Sequence, residues 1–337
     1  FDNWAEDIKL RWEYSMEYYK KELSEEIEFY EFVQYEFYRQ WYKLKKYAND
    51  NGIKIIGDIP IYVAYDSADV WANPELFQLD EENVPLAVAG CPPDGFSATG
   101  QLWGNPLYKW EYHKQTNYDW WIKRIERSVQ LYDVVRIDHF RGFDEYYSIP
   151  AGDKDATNGH WEKGPGIDLF NAIKYCLGNV NIIAEDLGYI TDSVRQLVND
   201  SGFPNMKVLE FAFDSRDSNN NDYLPHMYPV NCIAYAGTHD NDTIMGWMKT
   251  ADKEDVKYAK VMGKEEPYWD MIRALWSSVA GTTIIQAQDL LGLGSESRMN
   301  IPSTLGGNWS WRAMPKAFNA KIANRLFRLT KLYGRLK

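Results

Sequence analysis

The stretch Val134–Gly142, VVRIDHFRG, brings a guanidinium, a carboxylate and an imidazole into four consecutive positions. Val134, Val135 and Ile137 predict a short buried strand, interrupted only by Arg136, that delivers Asp138. An unpaired buried charge is not tolerated, so Arg136 is the natural partner of Asp138. An adjacent cation favours the ionised carboxylate. An ionised, oriented carboxylate at a strand end is what a glycosyl nucleophile requires. The same two residues also suit a structural ion pair at the mouth of a sheet.

Further acids stand at or just past other apolar runs. Asp58 follows Ile53–Gly57, Glu185 follows Asn181–Ala184, Asp240 follows Cys232–Ala236, and Asp289 follows Thr282–Ala287. One such acid is an ordinary helix cap, as Asp186 and Asp242 could be. Five in a row, Asp138 included, predict a carboxylate-rich mouth that serves either a metal or glycosyl transfer. Hard cations such as Mg²⁺ or Ca²⁺ would use these acids. Zinc would want closely spaced histidines, and His113, His139, His160, His226 and His239 offer no such pair. Glycosyl chemistry needs an ionised nucleophile, a protonated acid and donors for sugar hydroxyls. Asp138 has its arginine. Glu185 is approached by Ile182, Ile183 and Ala184, an apolar setting that raises a carboxyl pKa. His139 and His239 each neighbour a strand-end acid and suit the donors.

The elements that must position these residues alternate. Residues 4–48 read as helices, with Ser24 able to cap the second. Ile27, Phe29, Tyr30, Val33, Phe37, Trp41 and Leu44 recur at helical spacing as a packing stripe, and Asn51-Gly52 is a stop. Strands follow at Ile53, Val134, Asn181, Lys207 (to Phe213, containing Glu210), Cys232 and Thr282. Helices are predicted at Tyr118–Leu131, Ile167–Leu177, Thr191–Asp200, within 252–279 and over 314–333. Short, nearly all-apolar strands separated by helices mark a parallel sheet buried on both faces. A doubly wound sheet and a (β/α)₈ barrel both fit. Neither Gly164–Gly166 nor Gly292–Gly294 opens a helix directly from a strand, which disfavours a dinucleotide fold. Residues 64–117, rich in Pro, Gly, Asn and Trp, predict a long functional loop.

Composition narrows the partners. The 337 residues carry a net charge of −12, which argues against nucleic acid or an anionic membrane. The 14 Trp and 24 Tyr suit stacking on sugar rings as well as a core. Cys91, Cys176 and Cys232 are odd in number and far apart, which suits a reducing compartment. No signal peptide or membrane-length apolar run is read, so the expected location is cytoplasmic.

RIDHFRG (136–142), AEDLG (184–188) and THDND (238–242) resemble the nucleophile, acid/base and stabiliser motifs of the α-amylase clan. GDIPIYVAYDSADVWANPELF (57–77), PPDGFSATGQLWGNP (92–106) and MNIPSTLGGNWSWR (299–312) narrow the resemblance to glycoside hydrolase family 77, the amylomaltases or 4-α-glucanotransferases. The match runs from about Glu28 to the C-terminus. It implies a (β/α)₈ barrel with inserted loops, residues 64–117 being one that shapes the glucan cleft. It also implies a retaining disproportionation of α-1,4-glucans without a metal or other cofactor. By motif position Asp138 resembles the nucleophile, Glu185 the acid/base and Asp240 the transition-state stabiliser. Arg136 and His239 resemble assistants to Asp240. Asp58, Phe96, Trp103, His139 and Asn308 join them as expected substrate contacts, Phe96 and Trp103 in what resembles the family's mobile acceptor-side loop. This chain has Gly95 where members often carry Tyr. The partners implied are maltooligosaccharides, with glucose or maltodextrin as acceptor. A hydrolase of the same clan and a non-catalytic glucan-binding module are the competing readings.

Two geometric expectations follow. Asp138, Glu185 and Asp240 should converge in one cleft, the first two roughly 5–6 Å apart. All 337 residues should form one catalytic domain holding six of a barrel's eight strands. The first strand carries the motif that the family places on its third, so an N-terminal portion with two strands is expected to be absent.

Overall fold

Gly and Pro are absent from the first 51 residues, and good helix formers crowd there. They form α1 (Glu6–Lys9), α2 (Glu13–Glu22) and α3 (Ser24–Asp50). Ser24 is the first residue of α3 and not its cap; Leu23 holds the cap position without a side-chain bond. Gly52, at φ 73°, is the left-handed stop. The packing stripe is corrected by its exposure: Ile27, Phe29, Tyr30, Val33, Phe37 and Leu44 all face outward. Trp41 does dock, donating its indole N–H to the Leu131 carbonyl at 2.9 Å.

The computed structural model describes residues 1–93, 97–188, 190–215, 220–263 and 266–336. Phe1–Phe203 form one compact unit and Pro204–Lys337 another. The first continues with β1 (Ile56–Pro60), α4 (Ala68–Ala72), β2 (Ala87–Cys91), β3 (Gln101–Pro106), α5 (Trp110–Gln115), α6 (Asp119–Leu131), β4 (Val134–Asp138), β5 (Glu145–Pro150), β6 (His160–Lys163), α7 (Ile167–Leu177), β7 (Ile182–Ala184) and α8 (Asp192–Ser201).

β1, β4 and β7 make a parallel sheet with β4 in the centre. Val135 and Ile137 point from β4 into a core shared with Trp121 and Ile125 of α6 and with Leu169, Phe170 and Ile173 of α7. Each such fully buried apolar side chain contributes roughly 1.5–3 kcal/mol. The register sets Asp58 beside Arg136 and Pro60 beside Asp138, and Ile137 beside Ala184. Asp58 therefore lies in the middle of β1, not past its end, because the strand starts three residues later than its apolar pattern suggests. Gly57 is required here: a Cβ would stand 2.1 Å from the Tyr132 ring.

A second sheet, antiparallel in the order β3-β2-β5-β6, was not foreseen. Two of its strands come from the long stretch 64–117. Gly90 lets β2 approach β3 closely; a Cβ there would meet the Gln101 carbonyl at 2.2 Å.

The second unit holds β8 (Asn205–Val208), β9 (Cys232–Tyr235), α9 (Ile244–Thr250), α10 (Lys253–Ala259), α11 (Pro267–Trp276), β10 (Thr282–Ile284), α12 (Ala287–Leu290) and α13 (Ala320–Leu332). Its parallel sheet runs β10-β9-β8. The strand expected over Lys207–Phe213 ends at Val208. Glu210 sits in the 3₁₀ turn Leu209–Phe213 that follows. Among the described residues no helix is long and apolar enough to cross a membrane.

Candidate active site

In the first unit the chemistry gathers where β4 and β7 end. Arg136 is nearly buried and bonds two carboxylates: Nη1 reaches Asp58 Oδ2 at 2.6 Å and Nη2 reaches Asp138 Oδ1 at 2.8 Å. Burial works against the guanidinium charge, but Asp138, Asp58 and Glu185 outweigh it and push its pKa up. The expected Arg136–Asp138 pair is present, with Asp58 as a second partner. The Asp138 side chain keeps 46% of its surface, so the carboxylate is both paired and reachable.

Glu185 sits next to Asp138 across the strand ends. Its backbone N–H donates to the Ile137 carbonyl at 3.1 Å, and its carbonyl accepts from Phe140 N–H at 3.0 Å. Its carboxyl is buried, and burial followed by the Asp138 charge raises its pKa to about 7. Arg136 and two backbone donors oppose that rise: His139 N–H to Oε2 at 2.7 Å and Leu187 N–H to Oε1 at 2.9 Å. Two neighbouring carboxyls thus sit in different environments, one ion-paired and half-exposed, the other buried with its pKa raised. That is the arrangement that separates a nucleophile from a general acid.

His139 takes the left-handed conformation, φ 56°. Burial, then the Arg141 charge, lowers its pKa to about 3, so the imidazole is neutral at ordinary pH. Its Nε2 has no hydrogen-bond partner among the described residues. The edge of Trp103 packs on it with centroids 4.8 Å apart, and Trp103 in turn leans on Tyr62 at 6.2 Å. Trp103 lies on β3 and is 37% exposed. Phe96 lies outside the described residues. Sequence reasoning missed Arg141, whose buried guanidinium lies 3.9 Å from the centre of the Trp161 ring. Its place in RIDHFRG was the available signal.

In the second unit Asp240 occupies the turn between β9 and α9. Thr238 N–H and Oγ1 both donate to Asn241 Oδ1, at 2.8 and 2.9 Å, and fix that turn. His239 Nε2 lies 3.3 Å from Asp240 Oδ2, and its ring meets Trp309 at 5.0 Å. Asn300, also missed, donates from Nδ2 to Asp240 Oδ1 at 2.6 Å. It stands in the same MNIPSTLGGNWSWR stretch as the expected contact Asn308. Asn308 braces its own loop: Oδ1 accepts from Ile301 N–H at 3.0 Å and Nδ2 donates to Thr304 Oγ1 at 3.1 Å.

Asp289 does not line a mouth. It is fully buried in α12, and its Oδ1 accepts from Ile244 N–H at 2.8 Å at the start of α9. Five strand-end acids therefore reduce to fewer chemical candidates, because a pattern of runs and acids cannot distinguish a mouth from an interior helix end. Asp242 is not a helix cap either; Thr243 caps α9, and Asp242 Oδ2 accepts from Ser295 Oγ at 2.6 Å. Among the described residues no group of three His, Cys, Asp or Glu could hold a metal ion.

A family model described as 4-alpha-glucanotransferase, glycoside hydrolase family 77, matches residues 1–317. The 4-alpha-glucanotransferase of Clostridium butyricum is 53% identical over 341 residues, which cover 99% of this chain and 70% of that one. The 4-alpha-glucanotransferase of Thermus thermophilus is 45% identical over 347 residues, covering 100% and 69%. A solved amylomaltase from Streptococcus agalactiae, in complex with acarbose, matches with a TM-score of 0.96 at 46% identity, covering 100% of this chain and 69% of that one. An amylomaltase from Corynebacterium glutamicum matches at TM-score 0.71 and 17% identity, over 91% and 49% of the two chains, a likeness of fold alone.

Proposed function

Because this chain belongs to glycoside hydrolase family 77, the 4-alpha-glucanotransferases, we propose that it moves α-1,4-glucan segments between maltooligosaccharides by a retaining double displacement. Asp138 attacks the anomeric carbon and forms a glycosyl ester. Arg136 keeps that carboxylate ionised and aimed. Glu185 begins protonated, gives its proton to the leaving glycosidic oxygen, and later takes one from the incoming sugar hydroxyl. Asp240 is assigned the stabilisation of positive charge on the sugar ring in the transition state, with His239 beside it. Asp58, Trp103, His139, Phe96 and Asn308 are assigned to holding the glucan. No metal or cofactor is needed by these steps.

The same reading takes the six parallel strands as members of a (β/α)₈ barrel in one catalytic domain, with residues 64–117 as an insertion that shapes the cleft. Glucose or maltodextrin serves as acceptor. Three cysteines, odd in number and far apart in sequence, suit a reducing, cytoplasmic setting.

The observation that carries the proposal is the different environments of Asp138 and Glu185, adjacent in register yet one paired with a guanidinium and the other raised to about 7. Incubation with maltotriose tests it. The expected products are glucose and a ladder of longer oligosaccharides, with few new reducing ends. Hydrolysis without a ladder would replace transfer by hydrolase activity. Binding without turnover would reduce the protein to a glucan-binding module.

A further inference from the structure

Asp240 stands in a turn with no regular structure, between the end of β9 at Tyr235 and the start of α9 at Ile244. Within the turn His239 Nε2 lies 3.3 Å from Asp240 Oδ2, and Oδ1 is met from outside it. Residues 298–300, nearly sixty positions later, intervene at several points. The Asn300 backbone N–H donates to the His239 carbonyl at 3.2 Å. Arg298 donates to the Asp240 carbonyl through Nη2 and to the Asn300 carbonyl through Nε at 2.8 Å. The Asn300 side chain then completes the contact, its Nδ2 2.6 Å from Asp240 Oδ1.

The chemistry of that last bond is specific. An amide is neutral, so it can orient a carboxylate without cancelling its charge. A lysine or arginine in the same place would neutralise the negative field that a positively charged transition state needs. Arg298, which does carry charge, donates to the Asp240 backbone oxygen. The backbone tie fixes where the turn is, and the amide fixes which way the carboxylate faces.

We infer that Asn300 is a positioning residue for Asp240, holding Oδ1 so that the carboxylate meets the developing charge in one orientation. This rests on the reading of Asp240 as the transition-state stabiliser. Because the orientation matters in the transition state, its loss lowers kcat and kcat/KM together and leaves KM nearly unchanged.

The test is a double-mutant cycle read by maltotriose disproportionation, with thermal melts to confirm that each variant folds. Asn300→Ala lowers kcat by about 10–100-fold, the value of one hydrogen bond to a charged group. Asn300→Asp has the same shape but offers no donor at neutral pH and adds a like charge, so it falls at least as far. In an Asp240→Ala background, Asn300→Ala costs nothing further. Additive losses in the double variant would overturn the inference, as would Asn300→Asp with the original kcat. Undiminished activity in Asp240→Ala would instead overturn the reading of Asp240 itself.

Discussion

The backbone N–H of His139 donates to the Glu185 carboxylate at 2.7 Å, so the turn that leaves Asp138 also aims its neighbouring acid. The bond exists with His139 in a left-handed conformation, which costs a non-glycine residue roughly 1–2 kcal/mol. Leu187 N–H fixes the other oxygen at 2.9 Å. The orientation of Glu185 is thus set by main chain, and its protonation is set by burial.

A pH profile follows. Glu185 is protonated below its raised pKa, so transfer should fall as pH climbs through about 7. The basic limb of kcat/KM measures this directly. Glu185→Gln should lose about 10²–10⁴-fold, the usual contribution of a general acid. A basic limb more than two units away would mean that another group donates the proton.

Asp58 shares the Arg136 guanidinium with Asp138. Asp58→Ala leaves a nearly buried cation with one fewer partner. We expect about 1–3 kcal/mol less stability in urea denaturation, the cost of a bond to a charged group. Activity should drop as well, since Arg136 no longer has a fixed direction. Wild-type stability and rate in this variant would confine Asp58 to the surface of the problem.

Much of this was legible because apolar runs ending on acids are governed by local chemistry. Val134–Asp138 is the observed β4, Ile167–Leu177 is the observed α7, and the Arg136–Asp138 pair follows from the cost of burying a lone charge. What failed was decided by partners distant in sequence. β2 pairs with β3 on one side and with β5 on the other, so the Pro- and Gly-rich stretch around β2 and β3 reads as loop until the distant β5 is known. Asp289 and Asp240 look alike in sequence, yet one is buried and accepts from the first N–H of α9 while the other keeps a partly exposed carboxylate. Asn300 is marked in the sequence only by its place in MNIPSTLGGNWSWR; its role lies in a contact with a residue sixty positions earlier.

Trp103 bears on the choice between sugar and water as acceptor. It is partly exposed, rests edge-on against His139 and offers a flat apolar face. If it helps to exclude water from the glycosyl ester, Trp103→Ala should raise the ratio of free reducing ends to transfer products. An unchanged ratio would show that this ring does not discriminate.

Asp289 makes a prediction about stability that is independent of catalysis. Burial raises its pKa to about 7, Asp242 pushes the same way, and the bond from Ile244 N–H only partly opposes them. Its Oδ2 has no hydrogen-bond partner among the described residues. The folded state therefore keeps a proton that the unfolded chain, with an ordinary aspartate, releases near pH 4. Between about pH 4 and pH 7 the unfolded state binds fewer protons, so stability falls as pH rises, and the loss is complete above about 7. Three pKa units correspond to on the order of 4 kcal/mol. Asp289→Asn removes the titration and can still accept from Ile244 N–H. It also relieves Glu210, whose pKa burial and Asp289 together push up. Relative to the native protein, Asp289→Asn should gain little at pH 4.5 and up to a few kcal/mol at pH 8, measured by urea denaturation at both. An equal difference at the two pH values would mean that Asp289 titrates normally and that its carboxylate is solvated.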